Sequence, residues 1–253
     1  MNEHMTPPPE NLKSSLSEAK VDAGTIEVAG KKLEVLRYPG EKAEILMLGG
    51  GANLPLHDSY YPDWQKTLCE FDIGSISFNY RGVGASGAKL EDTSLQTRLE
   101  DARTVARQLH NKPLFISGVS MGAPLAIRLA SELQADGLIL ISPAAYSAEA
   151  YTKNFGPEFS QALRRDKSWE DSPDFAELAS YQGRVILAYG KQDEVIPHPV
   201  LQRYAKIVKG RGAILSFDDL GHRFMREENF ESKEARNQLN EAILRLTAEV
   251  KEV

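Results

Sequence analysis

The sequence predicts one α/β domain: a mostly parallel, doubly wound sheet with an antiparallel hairpin at its N-terminal end and a short helical cap. Three observations carry that reading. Short runs of unbroken apolar residues recur along the chain, as strands covered on both faces require. Amphipathic helical patterns alternate with them, which is how parallel strands are connected. One connection, about forty residues long, has no strand signal and is rich in aromatic residues, a length that calls for helices of its own or for a function.

Residues 1–22 are polar and rich in proline, serine and lysine, and are expected to form a flexible tail ahead of a domain over 23–253. Thr25 to Tyr38 holds two alternating runs joined through Gly30, the pattern of a hairpin at a sheet edge. The apolar runs follow: Ile45–Leu48, Ile73–Phe78, Leu114–Ile116, Leu138–Ile141, Val185–Ala188 and Ala213–Leu215. Helices are expected between and after them at Tyr60–Phe71, Leu95–His110, Met121–Leu133, Pro199–Val208 and Ser232–Lys251. The second is the clearest, because Leu95, Leu99, Ala102, Val105, Ala106 and Leu109 share one face at helical spacing. The cap is expected over 143–183, where Tyr146, Tyr151, Phe155, Phe159, Trp169, Phe175 and Tyr181 cluster.

Composition narrows the partners. Hydrophobic residues are 42% of 253 and charged residues 26%, ordinary for a globular protein. The 30 Lys and Arg against 36 Asp and Glu leave a net charge of -6 and no basic cluster, so nucleic acid is not an expected partner. The single cysteine, Cys69, excludes an intrachain disulfide and fits helix packing beside Trp64 and Leu68. No stretch approaches the ~18 apolar residues of a membrane span, and the first residues lack the basic-then-apolar pattern of a secretory signal. A soluble cytoplasmic protein is the resulting expectation. The five histidines are scattered, so no metal site is expected.

The chemistry centres on Gly118-Val119-Ser120-Met121-Gly122. A Gly-x-Ser-x-Gly string arises by chance in roughly one chain in ten of this length, so its context matters more than the string. It follows the run Leu114–Ile116 and opens a helical pattern. A serine on such a strand-to-helix turn stands at the C-terminal edge of the sheet, before helix N–H groups that favour negative charge. A hydroxyl needs a base to become nucleophilic, and the base needs a carboxylate to hold its tautomer. Asp193 follows the run Val185–Ala188 and His222 follows Ala213–Phe217, so both also fall at strand C-termini.

With those residues in place, the chain resembles the α/β-hydrolase superfamily over roughly residues 25 to 250. The resemblance rests on the serine turn, on Gly190-Lys191-Gln192-Asp193-Glu194-Val195-Ile196-Pro197, on Gly221-His222, and on Arg81-Gly82-Val83-Gly84-Ala85-Ser86. It implies a nucleophile at Ser120, a general base at His222 and an orienting acid at Asp193, with no cofactor and a small-molecule acyl substrate, an ester before a thioester or small amide. It also implies an oxyanion hole made by the N–H of Met121 and of Gly50, with Gly51 second. The superfamily often has His-Gly where this chain has Leu48-Gly49. A binding protein that keeps the fold without the chemistry is the reading from another class.

Other residues compete for these roles. Glu194, Asp218 and Asp219 are alternatives for the acid, and His57 for a pocket-lining histidine. Gly82-Val83-Gly84-Ala85-Ser86-Gly87 fits a dinucleotide fingerprint, but Lys89-Leu90-Glu91-Asp92 intervene before the next helical pattern, whereas a dinucleotide site needs the helix to begin at the glycines. Gly49-Gly50-Gly51 lacks the downstream Gly-Lys-Ser/Thr of a phosphate loop.

Overall fold

Backbone pairing sets the architecture. A computed structural model describes residues 21–51, 55–109 and 113–251, apart from the side chains of His57 and Lys251. Among these residues eight strands form one sheet: β1 (Asp22–Val28), β2 (Lys31–Tyr38), β3 (Ala43–Leu48), β4 (Ile73–Phe78), β5 (Leu114–Val119), β6 (Gly137–Ile141), β7 (Arg184–Gly190) and β8 (Gly212–Phe217). Their order is β1-β2-β4-β3-β5-β6-β7-β8. The hairpin β1–β2 and the pair β2–β4 are antiparallel, and every other pair is parallel. The expected tail falls almost wholly outside the described residues, as do His4 and His110.

Among the described residues seven α-helices connect or follow the strands: α1 (Tyr61–Cys69), α2 (Leu95–Ala106), α3 (Gly122–Leu133), α4 (Pro157–Arg164), α5 (Asp174–Ser180), α6 (His198–Val208) and α7 (Phe230–Lys251). Alternation along the strands divides the core in two. Ile45 and Met47 of β3 join Trp64 and Leu68 of α1 and Leu239 and Ile243 of α7. Leu46 and Leu48 face the other way, with Leu95 and Leu99 of α2, Leu125 of α3 and Tyr204 of α6. Burying both faces is what makes these strands read as unbroken apolar runs.

Two differences from the sequence reading have simple causes. Helix α2 stops at Ala106 rather than His110, because Gln108 and Leu109 donate to Val105 and Ala106, a tighter turn than the α-helical ladder. Strand β8 is an edge strand whose Ala213, Leu215 and Phe217 pack against one core while Ile214 is exposed. An apolar run of three residues does not distinguish a one-faced edge from a two-faced interior.

The segment between β6 and β7 holds a short 3-10 turn (Ala148–Thr152), α4 and α5, and no strand. Tyr146, Tyr151, Phe155, Phe159, Phe175 and Tyr181 are buried in the core on the α3 side. A buried carboxylate anchors them: Asp174 accepts from Tyr151 Oη and from Ser172 Oγ (2.7 Å), and the Arg128 guanidinium of α3 lies 3.7 Å from the Tyr151 ring centre. Among the described residues no helix is long and apolar enough to cross a membrane.

The winding reverses between β3 and β5. From β3 the chain crosses through α1 to β4 on one side. From β5 it crosses through α3 to β6 on the other. The C-terminal ends of β3 and β5 therefore flank a crevice, the place where open α/β sheets hold ligands.

Candidate active site

Ser120 stands on the turn between β5 and α3 with φ of 52°, a left-handed conformation that costs a non-glycine residue energy. The turn is held on three sides. Ser120 N–H donates to Ile141 O (2.9 Å), and Ser120 O accepts from Ala123 N–H (3.1 Å) and Ala144 N–H (3.2 Å). The glycines that bracket it are required by close approach. A Cβ on Gly118 would lie 2.6 Å from Ala123 Cα, and one on Gly122 would lie 2.3 Å from Leu48 O and 2.6 Å from Gly49 O. Helix α3 thus begins against the end of β3, which brings Gly50 beside the serine. A Cβ built on Gly50 would sit 3.4 Å from Ser120 Cβ and 4.0 Å from Ser120 Oγ, while one on Gly51 would meet the Met121 side chain at 3.1 Å.

The base and acid arrive from β8 and β7. His222 Nε2 lies 3.1 Å from Ser120 Oγ, and His222 Nδ1 lies 2.8 Å from Asp193 Oδ2. The Asp193 side chain is fully buried and the His222 side chain is 16% exposed. The second oxygen of Asp193 accepts from the N–H groups of Val195 (2.9 Å) and Ile196 (2.8 Å). Burial works to raise the Asp193 pKa. The His222 hydrogen bond and those two backbone donors outweigh it and hold the carboxyl below its ordinary value. The two loops are themselves joined, because Gln192 N–H donates to Leu220 O (2.9 Å). Gly190 permits that approach: a Cβ there would lie 2.0 Å from Leu220 O.

The competing acids lie elsewhere. Glu194 and Asp219 are exposed, and Asp218 pairs with Lys191. His198 opens α6 at the surface, and the His57 side chain lies outside the described residues. The loop Gly82–Gly87 is a turn locked to α2, with Arg81 bonded to Asp101, Glu100 and Thr97 O, and Gly82 N–H bonded to Ser86 Oγ.

A cavity of about 550 Å³ opens over Ser120 and His222. Gly50, Gly51 and Met121 form one side. Tyr146, Leu163 and Trp169 come from the segment between β6 and β7, and Tyr60, Tyr61, Arg223 and Arg226 from the remaining rim. Of the aromatics in that segment, Tyr146 and Trp169 face the cavity and the others pack inward. Arg223 and Arg226 escape a sequence reading because exposed residues outside the regular elements leave no periodic trace. One buried residue does leave a signal. Arg98 occupies a position on the apolar face of α2, between Leu95 and Leu99, where a charge is out of place.

Comparison with known proteins agrees with this architecture. The chain resembles the Pyrococcus furiosus esterase Pf2001 (TM-score 0.69, 19% identity, 98% of each chain covered). It also resembles Est1E from Butyrivibrio proteoclasticus, a structure with ferulic acid bound (TM-score 0.69, 19% identity, 88% of this chain and 100% of that one). A third likeness is the thioesterase domain from the curacin biosynthetic pathway (TM-score 0.65, 17% identity, 89% of this chain and 99% of that one). At those identities the likeness is one of fold. No curated protein matches the sequence. The model of the family described as serine aminopeptidase, S33, matches residues 42–169. With that match over slightly more than half its length and this sheet beneath it, the chain belongs to the serine aminopeptidase S33 family of α/β-hydrolases.

Proposed function

We propose that the protein is a serine hydrolase that cleaves carboxylic esters through an acyl-enzyme. The observation that carries this reading is the continuous line from Asp193 to His222 to Ser120, at 2.8 and 3.1 Å, whose last two members line the cavity. With its Nδ1 proton directed at Asp193, His222 leaves Nε2 free to accept from Ser120 Oγ. The oxygen attacks the ester carbonyl and the proton passes to His222. The charge that develops on the carbonyl oxygen is held by the N–H of Met121 and by a donor from Gly50 or Gly51. His222 returns the proton to the departing alcohol. Water, deprotonated by the same nitrogen, then attacks the acyl-serine, and His222 returns that proton to Ser120 Oγ as the acid leaves. The segment 143–183 acts as the cap, with Leu163 and Trp169 as its contribution to the acyl wall.

The lining favours an ester over an N-terminal peptide. Capture of a free α-ammonium calls for a carboxylate, and the charged side chains among the described lining residues, Arg223 and Arg226, are both cationic. The remainder is mainly aromatic and aliphatic, which suits an uncharged acyl chain.

A fluorophosphonate probe and a graded panel of p-nitrophenyl esters, acyl thioesters and leucine p-nitroanilide test the reading together. The expected result is labelling of the wild type that disappears in Ser120→Ala, with turnover of esters exceeding that of the anilide. A folded wild type that takes no label and cleaves no member of the panel would remove the enzymatic reading and favour a binding protein.

A further inference from the structure

Arg98 is the bulkiest of the fully buried side chains, at 2% exposure. Among the described residues no carboxylate pairs with it, since the adjacent Asp101 is bound by Arg81 through both its backbone N–H and its side chain. The guanidinium lies between two rings, 4.7 Å from the centre of Tyr80 and 4.6 Å from that of Phe155. Its Nη1 donates to the carbonyl oxygen of Gly50 at 3.0 Å and reaches Met121 Sδ at 3.5 Å, while its Nε has no partner among the described residues.

Fold alone gives no reason for a cation at this position. Burying a charge without a hydrogen-bonded counter-ion is costly, and contacts with two aromatic faces and the more distant charge of Asp101 return only part of that cost. An apolar side chain of similar volume would complete the face formed by Leu95, Leu99 and Ala102 without it. What the charge does touch is the pair of residues on either side of the oxyanion position, Gly50 and Met121. It touches them from behind: Gly50, Gly51 and Met121 line the cavity and Arg98 does not. A peptide unit is planar and trans, so a carbonyl of Gly50 bound to Arg98 directs the N–H of Gly51 to the opposite side. A carbonyl that accepts from a cation also makes the N–H at the far end of its own peptide a better donor.

We propose that Arg98 is a positioning residue for the oxyanion site, holding and polarising the Gly50–Gly51 peptide beside Ser120. This rests on the serine-hydrolase reading given above. Arg98 needs no contact with substrate. Its effect reaches the reaction through the peptide it fixes, and so belongs to the transition state rather than to substrate binding.

The decisive comparison is wild type against Arg98→Met, which keeps much of the volume and removes the charge. Five quantities are read: active sites titrated with a fluorophosphonate, kcat and KM for a p-nitrophenyl ester, inhibition by a trifluoromethyl ketone whose hemiketal oxyanion mimics the intermediate, and Tm. The expected loss in kcat per titrated site is about 10- to 100-fold, below the 10²–10³ typical of deleting a donor itself. KM stays near the wild-type value, and ketone affinity falls by the factor lost from kcat/KM. Arg98→Lys, which retains a charge, recovers part of both. Wild-type kcat per titrated site in Arg98→Met, whatever its Tm, would make Arg98 a packing residue and overturn the proposal. Should Arg98→Met not fold, Arg98→Gln carries the same comparison, and wild-type kcat per titrated site there overturns the proposal equally. A wild type that takes no label would overturn the hydrolase reading on which this rests. A labelled wild type with indifferent variants would overturn this proposal alone.

Discussion

Asp193 is pulled in opposite directions by its surroundings. Its burial favours the neutral acid, and three donors favour the anion and prevail. The folded carboxyl is thus depressed below its unfolded value of ~3.9. Its contribution to stability is present above about pH 4 and is lost as pH falls through the folded pKa. Asp193→Asn removes that contribution, so the Tm of the variant is expected to fall less steeply than that of the wild type on acidification below ~pH 4. A thermal unfolding series from pH 6 to pH 2 reads the two slopes, and identical slopes would contradict the account. The same variant loses the acceptor that holds the His222 tautomer, and its kcat is expected to fall on the order of 10⁴-fold. Asp193 is legible in the sequence from its place after an apolar run and from the Gly-x-x-Asp-x-x-Ile-Pro pattern. Arg98 is announced by its helical position, yet an apolar face of α2 traced through its leucines and alanines alone leaves it out.

At the scale of elements, the site is made by how closely α3 approaches β3. Gly122 occupies the crossing, and an alanine there would drive its Cβ into Leu48 O and Gly49 O. Relief requires the helix to retreat or the end of β3 to move, and either change shifts Gly50 relative to Ser120. Gly122→Ala is expected to lose about 1–3 kcal/mol of stability, as overpacking does, and to lower kcat per folded molecule beyond what the lost stability accounts for. Urea denaturation and active-site titration on one preparation measure both. Unchanged kcat would show that the crossing is not what sets the oxyanion geometry. The elements themselves are largely readable in the sequence. Runs such as Leu138–Ile141 are unbroken because both faces are covered, whereas β8 reads like an interior strand because an edge strand with three apolar residues looks the same in sequence. The shortened end of α2 is not readable, since the turn at Gln108 and Leu109 uses hydrogen bonds available to almost any residues.

At the scale of the molecule, the cavity is a product of two distant parts of the chain. The loops after the strands supply Ser120 and His222, and the segment between β6 and β7 supplies Tyr146, Leu163 and Trp169 as wall. That segment is fastened by Asp174 to α3 and by Phe155 N–H to Thr93 O (2.8 Å) at the start of α2, so the wall is fixed rather than draped. Trp169→Ala is expected to enlarge the acyl side of the cavity and move the preferred p-nitrophenyl ester toward longer chains, with kcat/KM for the longest members rising relative to acetate by about tenfold, the scale of one to two buried methylene groups. An unchanged chain-length profile would place the acyl group against another wall.

The sequence alone determined the class of sheet, the places of its buried strands along the chain and the positions of Ser120, Asp193 and His222 at strand ends. Those features follow from local rules: apolar runs, helical spacing and turns that only certain residues permit. Tertiary structure decided what depends on distances between segments far apart in the chain. It set the meeting of His222 with Ser120, the choice of Tyr146 and Trp169 over the other aromatics for the cavity, and the burial of Arg98 behind Gly50. Local pattern records which side of an element is apolar, but not which neighbour it will touch, because that is settled only when all the layers pack at once.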